Sequence, residues 1–365
     1  MAVYTALDEN ALTSWLASHD VGALVEWHGI HSGIENSNYF VTTCRDGVAR
    51  RFVLTLFERL GAAELPFYLS LMQHLAERGV PCPAPMADRT GALCATLAGK
   101  PAALVTRLEG HFVAAPTAAH CAAIGGALAR MHLAGEDFPL AQTNPRGLAW
   151  WQRTAAHVRP FLDDAQKSLL DDEIVLQTGA WDASTASLPR GPIHADLFRD
   201  NALFIEGDAA SSGATPATTP VAFPATPPAA SPLLGGIIDF YFAGCDAWLL
   251  DLAICVNDWC VDLASGTLDR ARVHAMVDGY THERPLRQAE RETFTLALRA
   301  AALRFWLSRL DDFHRPRPAQ LLTPHDPMHF ERILRRRRDE STGRVECGGR
   351  DILDILGATV RGTVT

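Results

Sequence analysis

Five polar residues stand where they could bind a cation and move a proton. His194, Asp196, Asp200 and Asn201 fall within the stretch IHADLFRDN, and Asp239 closes the apolar run GGIIDF further along. Carboxylate and amide oxygens are the hard ligands that Mg2+ prefers. A carboxylate beside them can accept the proton of a hydroxyl group. Phosphoryl transfer to an alcohol needs both, because the acceptor must be oriented and the developing charge neutralised. Asp196, Asn201 and Asp239 form such a set by type and order. Taken singly, Asp196 is also an ordinary loop acid, Asn201 a turn residue and His194 a packed histidine. The ordered set carries the meaning.

Several elements must position that set. DENALTSWLASH reads as a short helix capped by Asp8. NYFVTTCRDGVARRFVLTLFE reads as strand, turn, strand, with RDG supplying the turn. Leu65, Tyr68, Leu69, Met72 and Leu75 recur at helical spacing, and Gly79 and Pro81 stop that helix. GALCATLAGKPAALVTRLEG predicts two strands around a Gly-Lys-Pro turn. After Gly110 the pattern changes: Cys121, Ile124, Leu128 and Met131 form a helical stripe with Thr117 as its cap. The rest reads as helix, except for a loop and β-hairpin around IHADLFRDNALFIEG and GGIIDF. The reading is α+β, a β-rich lobe at 1–108 followed by a helical lobe at 109–365. An Ala/Pro/Thr/Ser-rich stretch at 207–232 predicts a flexible excursion between the two hairpin strands.

The chain has 365 residues, enough for two packed lobes, with 48% hydrophobic and 21% charged residues. A net charge of −9 argues against a nucleic-acid or anionic-membrane surface as the main partner. The eight cysteines never form a CxxC pair and mostly sit in apolar segments, as reduced thiols would. No basic-then-apolar leader and no run of about 18 apolar residues is present. A soluble, cytoplasmic protein is expected.

The spacing H-x-D-x-x-x-x-N, followed by a strand ending in I-D-F, resembles the catalytic loop and metal-binding segment of the protein-kinase-like fold, in its aminoglycoside-phosphotransferase branch. There the common form is H-G-D; here Ala195 replaces the glycine. The resemblance implies that Asp196 is the catalytic base, that Asn201 and Asp239 hold Mg2+, and that His194 organises the loop. HSGIENSNYFV, RFVLTLFE, IIDFYFAGCDAWLLDLAICVNDWC and LRAAALRFWLSRLDDFHRP are similar to the homoserine kinase family of this branch, from about Tyr4 to Arg338. That resemblance implies ATP- and Mg2+-dependent phosphorylation of L-homoserine, in a two-lobed kinase-like fold. HSGIENSNYFV would cover the triphosphate, with Gly33, Ser37 and Asn38 letting backbone approach phosphate. Thr55 falls where the wider fold carries a phosphate-binding lysine, so the cation that meets the phosphates is left open. Main-chain groups near Thr106 and Leu108 would meet adenine. Asp251 would brace the catalytic loop.

A zwitterionic amino alcohol needs a cation for its carboxylate and an acid for its ammonium. Arg304 and Arg309 lie on an otherwise apolar helix and are candidates for the first task; Asn257 and Asp258 are candidates for the second. The run Arg335–Arg338 reads as a solvated helix end. Competing readings are another small-alcohol kinase, for choline, ethanolamine or an aminoglycoside, and a nucleotide-binding module without catalysis.

Overall fold

The computed structural model describes residues 4–30, 36–205, 232–315 and 326–341. Gly33 and the 207–232 insert, Pro232 apart, lie outside these residues. The chain opens with α1 (Glu9–Leu16), whose first turn is closed by the Asp8 carboxylate accepting from the Ala11 N–H at 2.9 Å. A five-stranded antiparallel sheet follows, made of β1 (Ala23–Gly29), β2 (Ser37–Arg45), β3 (Val48–Leu56), β4 (Ala95–Leu97) and β5 (Lys100–Thr106). Its order is β1-β2-β3-β5-β4. Asp46 and Gly47 take φ of 54° and 79°, the paired positive values of a tight two-residue hairpin turn. The second hairpin turns at Ala98 and Gly99, φ 50° and 76°, so Lys100 and Pro101 already belong to β5 rather than to the expected Gly-Lys-Pro turn.

One face of the sheet packs on α1 through Leu12, Trp15, Tyr39, Val41, Leu54 and Leu104. On the opposite face, Phe57, Ala103 and Val105 join α2 (Leu65–Glu77) in a core that runs on into the helical part. That part comprises α3 (Ala118–Ala134), α4 (Leu148–Val158), α5 (Asp164–Thr185), α6 (Trp248–Trp259), α7 (Arg270–Glu283), α8 (Gln288–His314) and α9 (Met328–Ser341). Between α5 and α6 the chain makes two small antiparallel pairs, β6 (Arg190–Ile193) with β9 (Gly244–Ala247) and β7 (Ala202–Ile205) with β8 (Leu233–Ile237). The architecture is α+β, as the sequence predicts. No helix among the described residues is long and apolar enough to cross a membrane.

The arginine run corrects one expectation. Arg337 is not solvated: it is 1% exposed and donates to the Asn257 side chain, the Glu340 carboxylate and the Gly266 carbonyl. A guanidinium with five donors can be buried when each branch meets an acceptor, and here it ties α9 to α6.

The two glycines of GGIIDF explain how β8 reaches its place. A Cβ on Gly235 would stand 2.1 Å from the Glu109 carbonyl oxygen, and one on Gly236 would stand 2.3 Å from Leu108 Cδ1. Only bare backbone passes this close to the segment joining the sheet to the helices. The Ile237 N–H then donates to the Pro81 carbonyl at 2.7 Å, pinning the hairpin below the sheet-bearing part.

Candidate active site

The site is assembled around a buried acid. Asp251, in the first turn of α6, is 0% exposed and accepts from the backbone N–H of His194 at 2.7 Å and of Ala195 at 2.9 Å. His132 of α3 lies 3.2 Å from the same carboxylate through Nε2. Burial works to raise the Asp251 carboxyl, but His132, His194 and the backbone donors together hold it below its ordinary range. The loop IHADLFRDN is therefore gripped by its main chain, whichever side chains it carries. Asp251 is the brace that the resemblance implied.

His194 performs the next join. It is fully buried, and burial keeps its pKa below 6.5, so the ring is neutral. Its Nε2 lies 2.9 Å from the Ile238 carbonyl, while its Nδ1 accepts from the Asp196 N–H at 3.2 Å. The two partners fix the tautomer, with the proton on Nε2. His194 thus organises the loop. Ala195 takes φ 64°, the left-handed region, at the position where the wider family carries glycine.

Asp196 and Asn201 meet directly. The Asn201 amide donates to the Asp196 carbonyl at 2.8 Å and to its Oδ2 at 3.3 Å. The Asn201 carbonyl accepts from the Ile238 N–H at 2.9 Å. Ile238 is therefore held on both sides, by Asn201 and His194, and it delivers Asp239 beside them. Asp239 is exposed and has φ 63°. Backbone bonds thus bring the chain at Asp239 next to the loop that carries Asp196 and Asn201. Because Asn201 spends its NH2 on Asp196, its amide oxygen is the branch left to face a cation. That oxygen and the Asp239 carboxylate are of the hard-oxygen type that could hold Mg2+. Among the described residues no three His, Cys, Asp or Glu side chains form a metal cage. One or two protein ligands completed by phosphate oxygens is the usual form of a Mg2+ site in phosphoryl transfer.

Contacts from the sheet close the other side. Thr55 of β3 pairs across the ladder with Asn38, and its hydroxyl donates to Asn38 Oδ1 at 2.8 Å. Thr55 also hydrogen-bonds the phenol of Tyr241, two residues beyond Asp239; burial and the nearby Asp239 charge push that phenol's pKa up. Thr55 and Asn38 thus face the Asp239 segment with neutral groups. Arg50 and Arg51 are on the exposed half of β3, and Arg51 lies 3.3 Å from Glu109. Lys100 lies 3.2 Å from Glu58.

Other expected contacts fall differently. Ser37 is 0% exposed, donates to Glu58 at 2.7 Å and accepts from the Tyr4 and Thr5 N–H groups, so its hydroxyl serves packing rather than phosphate. Thr106 ends β5, with its N–H and hydroxyl both bonded to Ala84. Leu108 lies against Gly236 in the connecting segment.

Of the substrate candidates, Arg304 is 4% exposed and its guanidinium lies 3.5 Å from Asp196 Oδ1. Burial lowers its pKa to about 10, leaving it a cation at neutral pH. Arg309, one turn and a half along α8, lies over the Phe330 ring at 4.6 Å. Asn257 and Asp258 require correction. Asn257 donates to the Leu298 carbonyl at 2.7 Å and accepts from Arg337, so both of its polar ends are consumed in the core. Asp258 accepts from the Arg199 backbone and guanidinium at 2.9–3.2 Å and anchors the catalytic loop instead. Sequence reasoning passed over Arg146, before α4, whose guanidinium lies 5.5 Å from the Phe242 ring that Arg304 also approaches; nothing in its local pattern marks it.

The phosphotransferase enzyme family model matches residues 26–212. Homoserine kinase from Cupriavidus pinatubonensis is 53% identical over 92% of this chain and 96% of its own. Homoserine kinase from Paraburkholderia phymatum is 53% identical over 92% of this chain and 98% of its own. An amicoumacin kinase solved with AMP-PNP and Ca2+ superposes with a TM-score of 0.60 at 14% identity, covering 93% of this chain and 94% of its own, a likeness of fold alone. The chain belongs to the phosphotransferase enzyme family, and within it to the family of the homoserine kinases.

Proposed function

We propose that this protein transfers the γ-phosphoryl group of ATP to the hydroxyl of L-homoserine, with Mg2+, yielding O-phospho-L-homoserine for threonine synthesis. The observation that carries the reading is Arg304, a buried cation 3.5 Å from Asp196. A carboxylate-bearing acceptor would find its anchor beside the base that takes its proton.

Asp196 accepts the hydroxyl proton as the oxygen attacks phosphorus. Its carboxylate is kept in place by the Asn201 amide and, through the backbone, by His194 and Asp251. Asn201 and Asp239 would hold Mg2+, which when bound offsets charge on the phosphoryl oxygens. Thr55 and Asn38 line the phosphate side with neutral dipoles, and main chain near Leu108 receives adenine. Arg304 orients the acceptor so that hydroxyl and carboxylate enter in one pose.

A coupled ADP assay over L-homoserine, choline, ethanolamine and an aminoglycoside tests the reading. L-homoserine is expected to give the highest kcat/KM. A higher value for any of the others would replace the substrate, and ATP binding without turnover of any would leave a nucleotide-binding module.

A further inference from the structure

A tyrosine joins the sheet to the Asp239 segment. Tyr241 sets its ring edge-on to Phe57, just past β3, at 4.9 Å and to Tyr68 of α2 at 6.1 Å. Its phenol hydrogen-bonds Thr55. Thr55 gives its single hydroxyl proton to Asn38 Oδ1 at 2.8 Å, so the phenol is the donor in the first bond. Donation runs one way, from Tyr241 through Thr55 to Asn38. The Asn38 amide therefore turns its oxygen to Thr55 and its NH2 branch away from it. Among the described residues none accepts from that NH2. The Asn38 main chain is fixed as well: it pairs with Thr55 across the ladder, and its carbonyl accepts from the Ile30 N–H at 2.8 Å.

Physical chemistry explains why neutral groups stand here. A lysine at position 55 would be desolvated beside Phe57 and Tyr68 and would need an acid as partner. Helix α2 has no acid before Glu77 at its end, and Glu64 ahead of it accepts from the Gly61 N–H at 2.9 Å. Where that acid would stand, Tyr68 packs against Tyr241 instead. An amide NH2 meeting a phosphate oxygen still makes a charge-assisted hydrogen bond, with no cation to bury. Its direction is set by the two hydroxyls behind it.

We propose that Tyr241 and Thr55 are positioning residues that orient the Asn38 amide, whose NH2 donates to a phosphate oxygen of ATP where the wider fold uses a lysine. The relay rests on the reading of this side of the site as the phosphate side, and adds the donor and the groups that aim it.

Calorimetric titration of the full chain with ATP and Mg2+, and separately with adenosine, tests it in wild type, N38D, T55V, Y241F and the T55V/Y241F double variant. One hydrogen bond to a charged group corresponds to about 10- to 100-fold in affinity. N38D turns the donor into a carboxylate and is expected to weaken ATP by at least that factor, with adenosine within about twofold of wild type. T55V is expected to weaken ATP by about 10-fold and Y241F by less. The double variant is expected to lose no more than T55V alone, because both hydroxyls act through one amide. Unchanged ATP binding in N38D, or an equal loss for ATP and adenosine, overturns the donor. Losses in T55V and Y241F that multiply in the double variant overturn the relay. The readout needs no acceptor, so a failure of the homoserine reading shows separately, as ATP binding without turnover of L-homoserine.

Discussion

Ala195 illustrates how much of the chemistry at Asp196 is settled by its neighbours. With φ 64° it carries a methyl group in a region where a Cβ costs about 1–2 kcal/mol. Two bonds to Asp251 enclose it and hold the turn that aims Asp196. A195G is expected to change stability by less than about 1 kcal/mol, since relieved strain offsets a more flexible unfolded chain. A195V puts a branched side chain at the same φ and is expected to lower Tm by several degrees and reduce kcat; a neutral A195V would contradict the account of the loop. D239A removes the only carboxylate of the proposed Mg2+ pair. Its activity is expected to need at least tenfold more Mg2+ for half-saturation, and a superimposable Mg2+ titration would exclude Asp239 as a ligand. Residue types suggested this triad because metal and proton chemistry restricts the choice. They failed at Asn257 and Asp258, whose partners Arg337 and Arg199 lie some 80 and 59 positions away in sequence. A polar residue in an apolar helix reads alike whether it meets a ligand or a distant side chain.

At the scale of elements, the hairpin β7–β8 joins sheet, linker and catalytic loop. G235A would drive a methyl group into the Glu109 carbonyl, where a Cβ stands at 2.1 Å. Backbone shifts of that kind cost about 1–3 kcal/mol. Thermal unfolding of G235A is expected to show a Tm lower by several degrees, and kcat/KM to drop as the hairpin leaves its seat; wild-type Tm and kinetics would refute the packing role. The strands β2 and β3 and helices α1, α2 and α3 were legible because alternation, caps and stops coincide in them. Strand β1 escaped notice for a physical reason. It is the edge of the sheet, its residues are mostly exposed or half-buried, and Ala23–Gly29 shows no apolar alternation. Arg146 escaped for another: it sits in a loop and reaches the Phe242 ring 96 positions away, which leaves no local pattern.

For the whole molecule, buried histidines set the acid limit. Burial holds His132 and His194 below 6.5 in the folded state, and with nearby arginines it pushes His329 down to about 4. Below pH 6.5 the unfolded chain takes up protons that the folded chain refuses, so stability falls as pH drops and is intact above that value. Asp251, held low, adds its own loss only at more acidic pH. Tm measured from pH 8 to pH 5.5 is expected to be flat down to about 7 and then to fall; a constant Tm to pH 5.5 would mean these rings are not kept neutral. The β-rich and helical parts were readable from order along the chain, whereas the approach of Arg146 and Arg304 to one ring needed three dimensions. The account as a whole is tested most directly by phosphorus NMR of the full chain with ATP, Mg2+ and L-homoserine, wild type beside D196N. It predicts a phosphomonoester of homoserine growing as the γ-phosphate signal declines, with D196N binding ATP normally but slower by about 100- to 10,000-fold. Inorganic phosphate as the sole product, or an undiminished rate in D196N, would contradict it.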